Sequence, residues 1–358
     1  MLLLKPYLGC NLGCKYCYEH DLRVNTNPSL SFDLDTILHN MESFAKSQIV
    51  LHGGEPLLIG KDRVEALLHK AFTLTGKSGI QTNGTLIDED YLSIFKKYKT
   101  SVGISFDGRG ELSSLRMDMR QASYVENLIY RLHKEGISTS VICVISKGNA
   151  DSIEKLEALS TWLLNSLAPL HITGRLNPCY GSQYELPESQ LIFAYRYLAD
   201  FCLTHNLRWS PFTDIIKRLK GESAVCSFMG CDIFHTRSCT VMLGDGSITS
   251  CMRTNKSDIL LRYPVETSTR DELLPHIPQE NNGCEGCEFF SACHGGCPTT
   301  TSDWRDRTDF CHLWKDLFSY YKNILSFTGF NMKENKTERS RPLDSNGHGD
   351  WGNHGDAA

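Results

Sequence analysis

The chain has 358 residues, of which 41% are hydrophobic and 22% are charged, and its formal net charge is −5. These values are typical of a globular protein with room for one large domain and a smaller one. The acidic balance argues against a general nucleic-acid or membrane-surface binder, and no apolar run approaches the roughly 20 residues that span a bilayer. The first residues lack the apolar core of a signal peptide, so we expect a cytoplasmic protein.

Short apolar runs alternate with longer amphipathic stretches up to about residue 200. The apolar runs predict strands at Leu2–Leu4, Gln48–Leu51, Ser78–Thr82, Ser101–Phe106, Ser138–Ile145 and Leu170–Gly174. The amphipathic stretches predict helices at Leu34–Phe44, Val64–Thr75, Asp88–Tyr98, Ser123–Lys134 and Ser152–Leu167. This order predicts βα units and a parallel sheet, open or curled into a barrel, with ligands at the carboxyl ends of the strands.

The second half of the chain changes character. Residues 188–220 have a helical pattern, cysteine dominates from Cys226 to Cys311, and a last amphipathic helix is predicted at Cys311–Leu325. We therefore predict a sheet-and-helix part, a helical bridge, a cysteine-rich part and a tail, over 1–200, 201–236, 237–325 and 326–358. The tail has almost no aliphatic residues, so we expect it to be disordered when free.

The chain contains 15 cysteines, and three of them form the run Cys10-x3-Cys14-x2-Cys17 directly after the first predicted strand. In a reducing compartment, such short spacings favour metal binding over disulfides. Three thiolates can hold a [4Fe–4S] cluster and leave one iron open for a ligand. The alternative is a zinc site with His20 as a fourth ligand. The place of the run, in a βα series, favours the cluster.

The segment Cys10–Tyr18 resembles the signature of the radical S-adenosylmethionine (SAM) superfamily, and further motifs follow in the same order. His52–Pro56 resembles the GGEP motif, Gln81–Leu86 and Ser105–Gly108 resemble the ends of the third and fourth strands, and Val144–Asn149 lies where the fifth strand approaches SAM. Each short motif alone would be weak evidence, whereas four in register make coincidence improbable.

The resemblance implies an α/β fold, namely a partial (β/α)6 TIM-like barrel in which SAM chelates the open iron of the first cluster. Reduction would then cleave SAM to a 5′-deoxyadenosyl radical that abstracts hydrogen from the substrate. The residues expected to contact SAM are Gly53, Gly54, Glu55, Pro56, Asn83, Ser105 and Asp107.

A second cysteine array follows the spacing Cys284-x2-Cys287-x5-Cys293-x3-Cys297, with Cys311 beyond it. Together with the upstream Cys239 and Cys251, it resembles the SPASM domain of radical SAM peptide maturases, which carries two auxiliary [4Fe–4S] clusters. The resemblance implies one cluster on Cys239, Cys251, Cys297 and an upstream cysteine, for which we favour Cys231 over Cys226. It implies another on Cys284, Cys287, Cys293 and Cys311. The alternative is a pair of structural zinc sites.

One position departs from the sulfatase-maturing relatives, where an Asp that serves as catalytic base follows the second SPASM cysteine. Here Met252 follows Cys251, which weighs against a formylglycine-forming reaction. Asp118, Asp245 and Glu19 are candidate bases, and the sequence does not rank them.

The tail contains three consecutive triplets of an aromatic residue, glycine, and Asp or Asn. Their outer residues are His348, Asp350, Trp351, Asn353, His354 and Asp356. Such triplets resemble substrate motifs of triceptide (cyclophane-forming) maturases, in which a ring carbon of the first residue joins the β-carbon of the third. The glycine between them permits the tight turn of the ring. The alternative is a low-complexity tail or a weak metal-binding tract.

We therefore predict a radical SAM peptide maturase that crosslinks an aromatic ring to Asp or Asn, on its own tail or on a separate precursor. The alternatives are a maturase that forms a thioether, an epimerised residue or formylglycine, and a non-enzymatic iron–sulfur electron carrier. The expected cofactors are SAM and three [4Fe–4S] clusters. The expected partners are a peptide substrate and a reductase, flavodoxin or ferredoxin as electron donor, with neither nucleic acid nor membrane.

Overall fold

The structure, a computed structural model, describes residues 1–19, 32–45, 47–224, 228, 230–231, 239–249, 251–253, 268–301, 303 and 305–327. Within these ranges, strands and helices alternate along the first two thirds of the chain, as the sequence predicts. His20, Cys226 and the triplet-bearing tail lie outside the described residues.

The described strands are β1 Leu2–Lys5, β2 Ile49–Leu51, β3 Ser78–Thr82, β4 Thr100–Ser105, β5 Thr139–Ile145, β6 Thr173–Pro178, β7 Trp209–Ser210, β8 Thr240–Leu243 and β9 Ile248–Thr249. The described α-helices are α1 Leu34–Asn40, α2 Lys61–Thr75, α3 Glu89–Lys97, α4 Met119–Lys134, α5 Ile153–Trp162, α6 Glu188–Thr204, α7 Phe212–Leu219, α8 Arg270–Leu273, α9 Phe290–Cys293 and α10 Cys311–Phe327.

All nine of these strands form one sheet in the order β7-β6-β5-β4-β3-β2-β1-β8-β9. Every pair from β7 to β8 is parallel, and only the pair of β8 and β9 is antiparallel. Because parallel strands end at the same edge, the loops after β1 to β5 meet there. Over the residues described, β7 and β9 are the two edges, so the sheet is open.

Helix starts follow from local capping. Asp88 accepts a hydrogen bond from the backbone N–H of Tyr91 at the start of α3, and Ser152 caps α5 in the same way. Asp118 and Gln121 form a capping box at the start of α4. This box satisfies two backbone N–H groups, so α4 begins four residues before the Ser123 start that periodicity alone predicts.

Other predicted elements also differ from the structure, and the helix predicted at Leu34–Phe44 changes to a 3-10 helix at Met41. The strand predicted at Leu170–Gly174 is wrong in its bounds, because 168–170 form a 3-10 turn and β6 begins only at Thr173. The helix predicted at Ser152–Leu167 changes to a π-helix at Leu163. The helical stretch predicted over 188–220 is interrupted by β7, which pairs with β6.

The cysteine-rich part joins the sheet directly, which its fading periodicity did not predict. Strand β8 pairs in parallel with β1, from Leu2 opposite Thr240 to Lys5 opposite Leu243. Helix α10 packs against α6 and α7, and its Trp314 and Phe318 make edge-to-face contacts with Phe228. In the part of the chain that the structure describes, no helix is long and apolar enough to cross a membrane.

Candidate functional site

The cysteine run Cys10–Cys17 lies in the loop after β1, at the carboxyl edge of the sheet. The N–H of Lys15 donates to the carbonyl of Leu115 at 2.8 Å, which ties the loop to the segment after β4. The thiol of Cys14 interacts electrostatically with those of Cys17 and Cys10, and burial raises its pKa to about 11. Coordination to a metal replaces the proton of such a buried thiol, so this donor set fits a cluster with three thiolate ligands.

Asp107, which follows β4, is the buried anchor of this loop. Its carboxylate accepts hydrogen bonds from the hydroxyl of Tyr16, from the backbone N–H of Val144 at 2.9 Å and from Arg116 at 3.0 Å. The guanidinium of Arg116 also lies over the ring of Tyr16. The two oxygens of Asp107 thus connect the cysteine loop to β4 and β5. Its predicted contact with SAM stays a prediction, since the structure gives it this anchoring role.

Glu55 plays a similar part at the end of β2. Its carboxylate is fully buried and accepts from the N–H of Leu57 at 3.1 Å, the hydroxyl of Thr82 at 2.8 Å and the N–H of Asn83 at 2.8 Å. Burial raises the pKa of this carboxyl, while the three donors oppose the change. Glu55 therefore joins the ends of β2 and β3 and orients the turn at Asn83.

Gly53 and Gly54 allow the turn after β2 to approach the cysteine loop closely. A Cβ on Gly54 would lie 2.2 Å from the carbonyl oxygen of Leu8 and 2.4 Å from that of Gly9, and one on Gly53 would lie 2.5 Å from the oxygen of Tyr7. Two backbone hydrogen bonds hold the approach: Gly54 N–H donates to Tyr7 at 3.1 Å and Glu55 N–H to Gly9 at 2.8 Å. A glycine is sterically required here.

Asn83 reaches the cysteine loop from the end of β3. Its side-chain amide donates to the Oδ1 of Asn11 at 2.9 Å and lies 3.9 Å from the sulfur of Cys10. Ser105, at the end of β4, is half-buried and accepts from the amide of Gln81 at 2.9 Å. The structure thus brings four of the predicted motifs together at one edge of the sheet.

The three candidate bases have different surroundings. Asp118 is exposed and caps α4, and Asp245 is exposed in the β8–β9 turn, where it accepts from the N–H of Ser247 at 2.9 Å. Glu19 is 3% exposed and forms an ion pair with the fully buried amine of Lys5. Among the three, Glu19 is the carboxylate buried beside the cysteine loop.

Lys5 also connects this region to the cysteine-rich part. Its amine donates to the carbonyl of Met252 at 3.3 Å, and the guanidinium of Arg253 lies 4.8 Å from the centre of the Tyr18 ring. The residue after Cys251 is therefore adjacent to the first cysteine loop even though it is not an Asp.

Four of the predicted cluster ligands line one cavity in the cysteine-rich part. This small cavity, with a volume of about 20 Å³, is lined by Cys284, Cys287, Cys293 and Cys311. The thiol of Cys293 interacts electrostatically with the other three, and burial raises its pKa. Four thiols around one space, of which that of Cys284 is buried and the others are partly buried, form a donor set that fits a [4Fe–4S] cluster. Within the described ranges, no three His, Cys, Asp or Glu side chains converge as a site for a single metal ion.

The other predicted set is only partly described. Cys239 directly precedes β8 and Cys251 lies two residues after β9, and these two strands pair with Val241 opposite Thr249. Cys231 is buried and follows Gly230, whose Cα faces the ring of His294. Cys226, the alternative ligand, lies outside the described residues, so the choice between the two stays a prediction.

The sequence did not predict three buried cations that hold these loops by hydrogen bonds, namely Lys5, Arg116 and Arg270. Only Lys5 carries a signal, because a lysine that closes an apolar strand is unusual. Cys143, Cys179 and Cys202 are buried with thiol pKa values raised by burial, as expected for structural thiols.

Comparisons with known proteins agree with this geometry. Residues 4–159 match the family model of the radical SAM superfamily. A cysteine-type anaerobic sulfatase-maturating enzyme of Clostridium perfringens (strain 13 / Type A) is 28% identical over 359 residues, covering 89% of this chain and 95% of the relative. The structure of anSMEcpe with bound AdoMet and Cp18Cys peptide has a TM-score of 0.70 at 23% identity, covering 93% of this chain and 99% of that chain. SuiB of Streptococcus suis bound to precursor peptide SuiA has a TM-score of 0.61 at 16% identity, covering 87% and 75%.

Residues 4–159 are therefore a radical SAM domain, and the chain has the α/β fold of the radical SAM enzymes. The predicted resemblance to this superfamily is confirmed. Several of the similar proteins are named as anaerobic sulfatase-maturating enzymes, and the comparisons give no support to the resemblance to triceptide maturases.

Proposed function

We propose that this chain is a radical SAM maturase that oxidises a side chain within a peptide or protein substrate. The observation that carries the proposal is the meeting of the cysteine loop with Glu55, Asn83 and Asp107 at one edge of the sheet. The cysteine-type maturating enzyme of Clostridium perfringens matches this chain over 95% of its own length, and similar structures contain a bound peptide.

Within this class, the comparisons favour a sulfatase-maturating type of reaction over the formation of a crosslink. We infer that the substrate is a Cys or Ser side chain that becomes formylglycine. The presence of Met252 in place of an Asp removes only the catalytic base expected at that position. Glu19 is a buried carboxylate that pairs with Lys5, and Lys5 in turn donates a hydrogen bond to the carbonyl of Met252. We therefore propose Glu19, rather than a residue after Cys251, as the group to test in that role.

The chain's own residues have distinct tasks in this proposal. Cys10, Cys14 and Cys17 would hold the first cluster, which, with SAM on its open iron, supplies the radical that abstracts hydrogen. Asp107 and Glu55 keep the cysteine loop in place through buried hydrogen bonds. A loop held in this way fixes the distance between the reacting atoms, a requirement for efficient hydrogen transfer.

Two auxiliary clusters complete the proposed cofactor set. Cys284, Cys287, Cys293 and Cys311 would hold one of them in the cavity that they line. Cys239, Cys251, Cys297 and Cys231 would hold the other. A flavodoxin or ferredoxin is the electron donor that we propose for the first cluster.

The test is anaerobic turnover of the reconstituted, reduced chain with SAM and peptides that differ only in a central Cys or Ser. We expect 5′-deoxyadenosine together with a loss of about 18 Da from the Cys peptide. One hydrogen atom would go to the 5′-deoxyadenosyl radical, the second electron to an auxiliary cluster and its proton to solvent, and water would then replace the sulfur, which leaves as hydrogen sulfide. The matched control is the chain in which Cys10, Cys14 and Cys17 are changed to Ala. Absence of 5′-deoxyadenosine from the reconstituted wild-type chain would refute the maturase proposal.

A second candidate function is crosslinking of the chain's own tail. It rests on the triplets at His348–Asp350, Trp351–Asn353 and His354–Asp356, a sequence observation outside the described residues. In this case the intact chain loses about 2 Da per triplet on turnover, since two hydrogens leave per crosslink. The matched control changes Asp350, Asn353 and Asp356 to Ala. An unchanged mass of the wild-type tail during active SAM cleavage would exclude it.

A further inference from the structure

Three residues connect the two predicted auxiliary sites. His294, Gly295 and Gly296 lie between Cys293, a predicted ligand of one cluster, and Cys297, a predicted ligand of the other. All three have left-handed backbone conformations, with φ values of 52°, 69° and 71°. We call this run the inter-cluster turn. Glycine adopts such a conformation readily, whereas for His294 it is uncommon and needs support from its surroundings.

Arg270 provides that support. Its guanidinium donates to the carbonyls of Gly295 and Gly296 at 2.9 Å each and to that of His294 at 3.3 Å. It also donates to the carbonyl of Asp306 at 2.6 Å. All three carbonyls of the inter-cluster turn therefore point at one side chain, and the planar fork of an arginine suits this arrangement.

The charge of Arg270 lies close to both cysteine sets. The side chain is 1% exposed, and desolvation lowers the pKa of its guanidinium. The thiols that interact electrostatically with it are Cys297, Cys284, Cys293 and Cys231. The first and last of these belong to one predicted cluster, and the other two belong to the second.

We propose that Arg270 is a positioning residue that holds the inter-cluster turn and raises the reduction potentials of both auxiliary clusters. The proposal rests on the cofactor set of the proposed function. A cluster gains one negative charge when it takes up one electron, and a buried cation stabilises that reduced state. Because water does not screen a buried charge, its effect extends to both clusters.

The test measures the reduction potentials of the two auxiliary clusters in the full-length chain. Cys10, Cys14 and Cys17 are changed to Ala in every sample, so that the first cluster gives no signal. A dithionite titration followed by electron paramagnetic resonance gives the two potentials. We expect Arg270→Gln to shift both to more negative values, and Arg270→Lys, which keeps the charge, to shift them less.

Two further variants make the comparison specific. Arg307 donates to the carbonyl of Gly283 and interacts with Cys284 and Cys311, so Arg307→Gln should shift the potential of one cluster only. Arg109 is an exposed partner of Glu126, so Arg109→Gln should shift neither potential.

The outcomes separate this inference from the proposed function. If the triple-Ala chain binds no iron, the auxiliary clusters and this inference both fail. If it binds iron and Arg270→Gln leaves both potentials unchanged, only the inference fails. A purely structural role predicts equal iron loss in Arg270→Gln and Arg270→Lys with unshifted potentials in the remaining clusters, and that result also overturns it.

Discussion

Gly54→Ala separates two explanations of the GGEP motif, contact with SAM and contact with the cysteine loop. The added Cβ would lie 2.2 Å from the carbonyl oxygen of Leu8, and 2.4 Å and 2.8 Å from the oxygen and carbon of Gly9. All three are backbone atoms, so relief requires movement of the loop that leads to Cys10. Overpacking of this kind costs about 1–3 kcal/mol.

The same movement breaks the hydrogen bonds from Gly54 N–H to Tyr7 and from Glu55 N–H to Gly9, each worth about 1 kcal/mol. We therefore expect Gly54→Ala to lower the free energy of unfolding by about 3–5 kcal/mol. In a chain of this size the melting temperature should fall by about 4–7 °C.

The assay is thermal unfolding of the cluster-loaded chain without SAM, together with iron content. Gly13→Ala is the matched control, because Gly13 lies in the same cysteine loop and its added Cβ would meet no atom within 4 Å. We expect this control to melt near the wild-type temperature. A Gly54→Ala chain that melts like wild type in the absence of SAM would refute the packing argument and leave contact with SAM as the reason for the glycine.

Three further predictions concern buried charges. Asp107→Asn leaves Arg116 buried beside a neutral side chain, so the free energy of unfolding should fall by about 3–5 kcal/mol. The measurement is urea unfolding, and a free energy equal to that of the wild-type chain would contradict the anchoring role of Asp107. Lys5→Met should lower the free energy of unfolding by a similar amount, because it leaves Glu19 buried without its ion-pair partner. The double variant Lys5→Met with Glu19→Leu should recover most of that stability. Losses that simply add in the double variant would argue against coupling between the two residues. Burial lowers the pKa of His52 from 6.5 to about 4, with Lys5 adding to the effect. Because the unfolded chain binds the proton first, stability should fall by roughly 3 kcal/mol as the pH drops from 6.5 to 4, and His52→Asn should flatten this loss in acid titrations followed by circular dichroism.

The sequence predicted the parts of the site that depend on local spacing. The cysteine run, the turn at Gly53–Glu55 and the turn at Asn83 follow apolar strands, and parallel pairing brings the ends of those strands together. The sequence did not predict the partners of the buried cations. Lys5 and Met252 are 247 positions apart, and no local pattern encodes a contact over such a distance.

The β8–β9 hairpin was missed for a related reason. Strand β9 has two residues, too few for an alternating pattern, and the pairing of β8 with β1 depends on main-chain groups that every residue carries. The left-handed conformation of His294 was equally hidden, because the residues that support it lie on another helix.

The cysteine-rich part and the radical SAM domain are coupled by three independent contacts. Strand β8 extends the sheet at β1, Lys5 donates to the carbonyl of Met252, and Arg253 lies over the ring of Tyr18. The last two of these contacts join residues next to Cys251 to the first cysteine loop or to the strand before it. The residues that follow Cys251 therefore contact the first cysteine loop and its preceding strand through one hydrogen bond from a lysine side chain and one cation–ring contact. If Cys251 holds an auxiliary cluster as we propose, these contacts offer a physical route by which that cluster would influence the first cysteine loop, and variants at Met252 or Arg253 would test it.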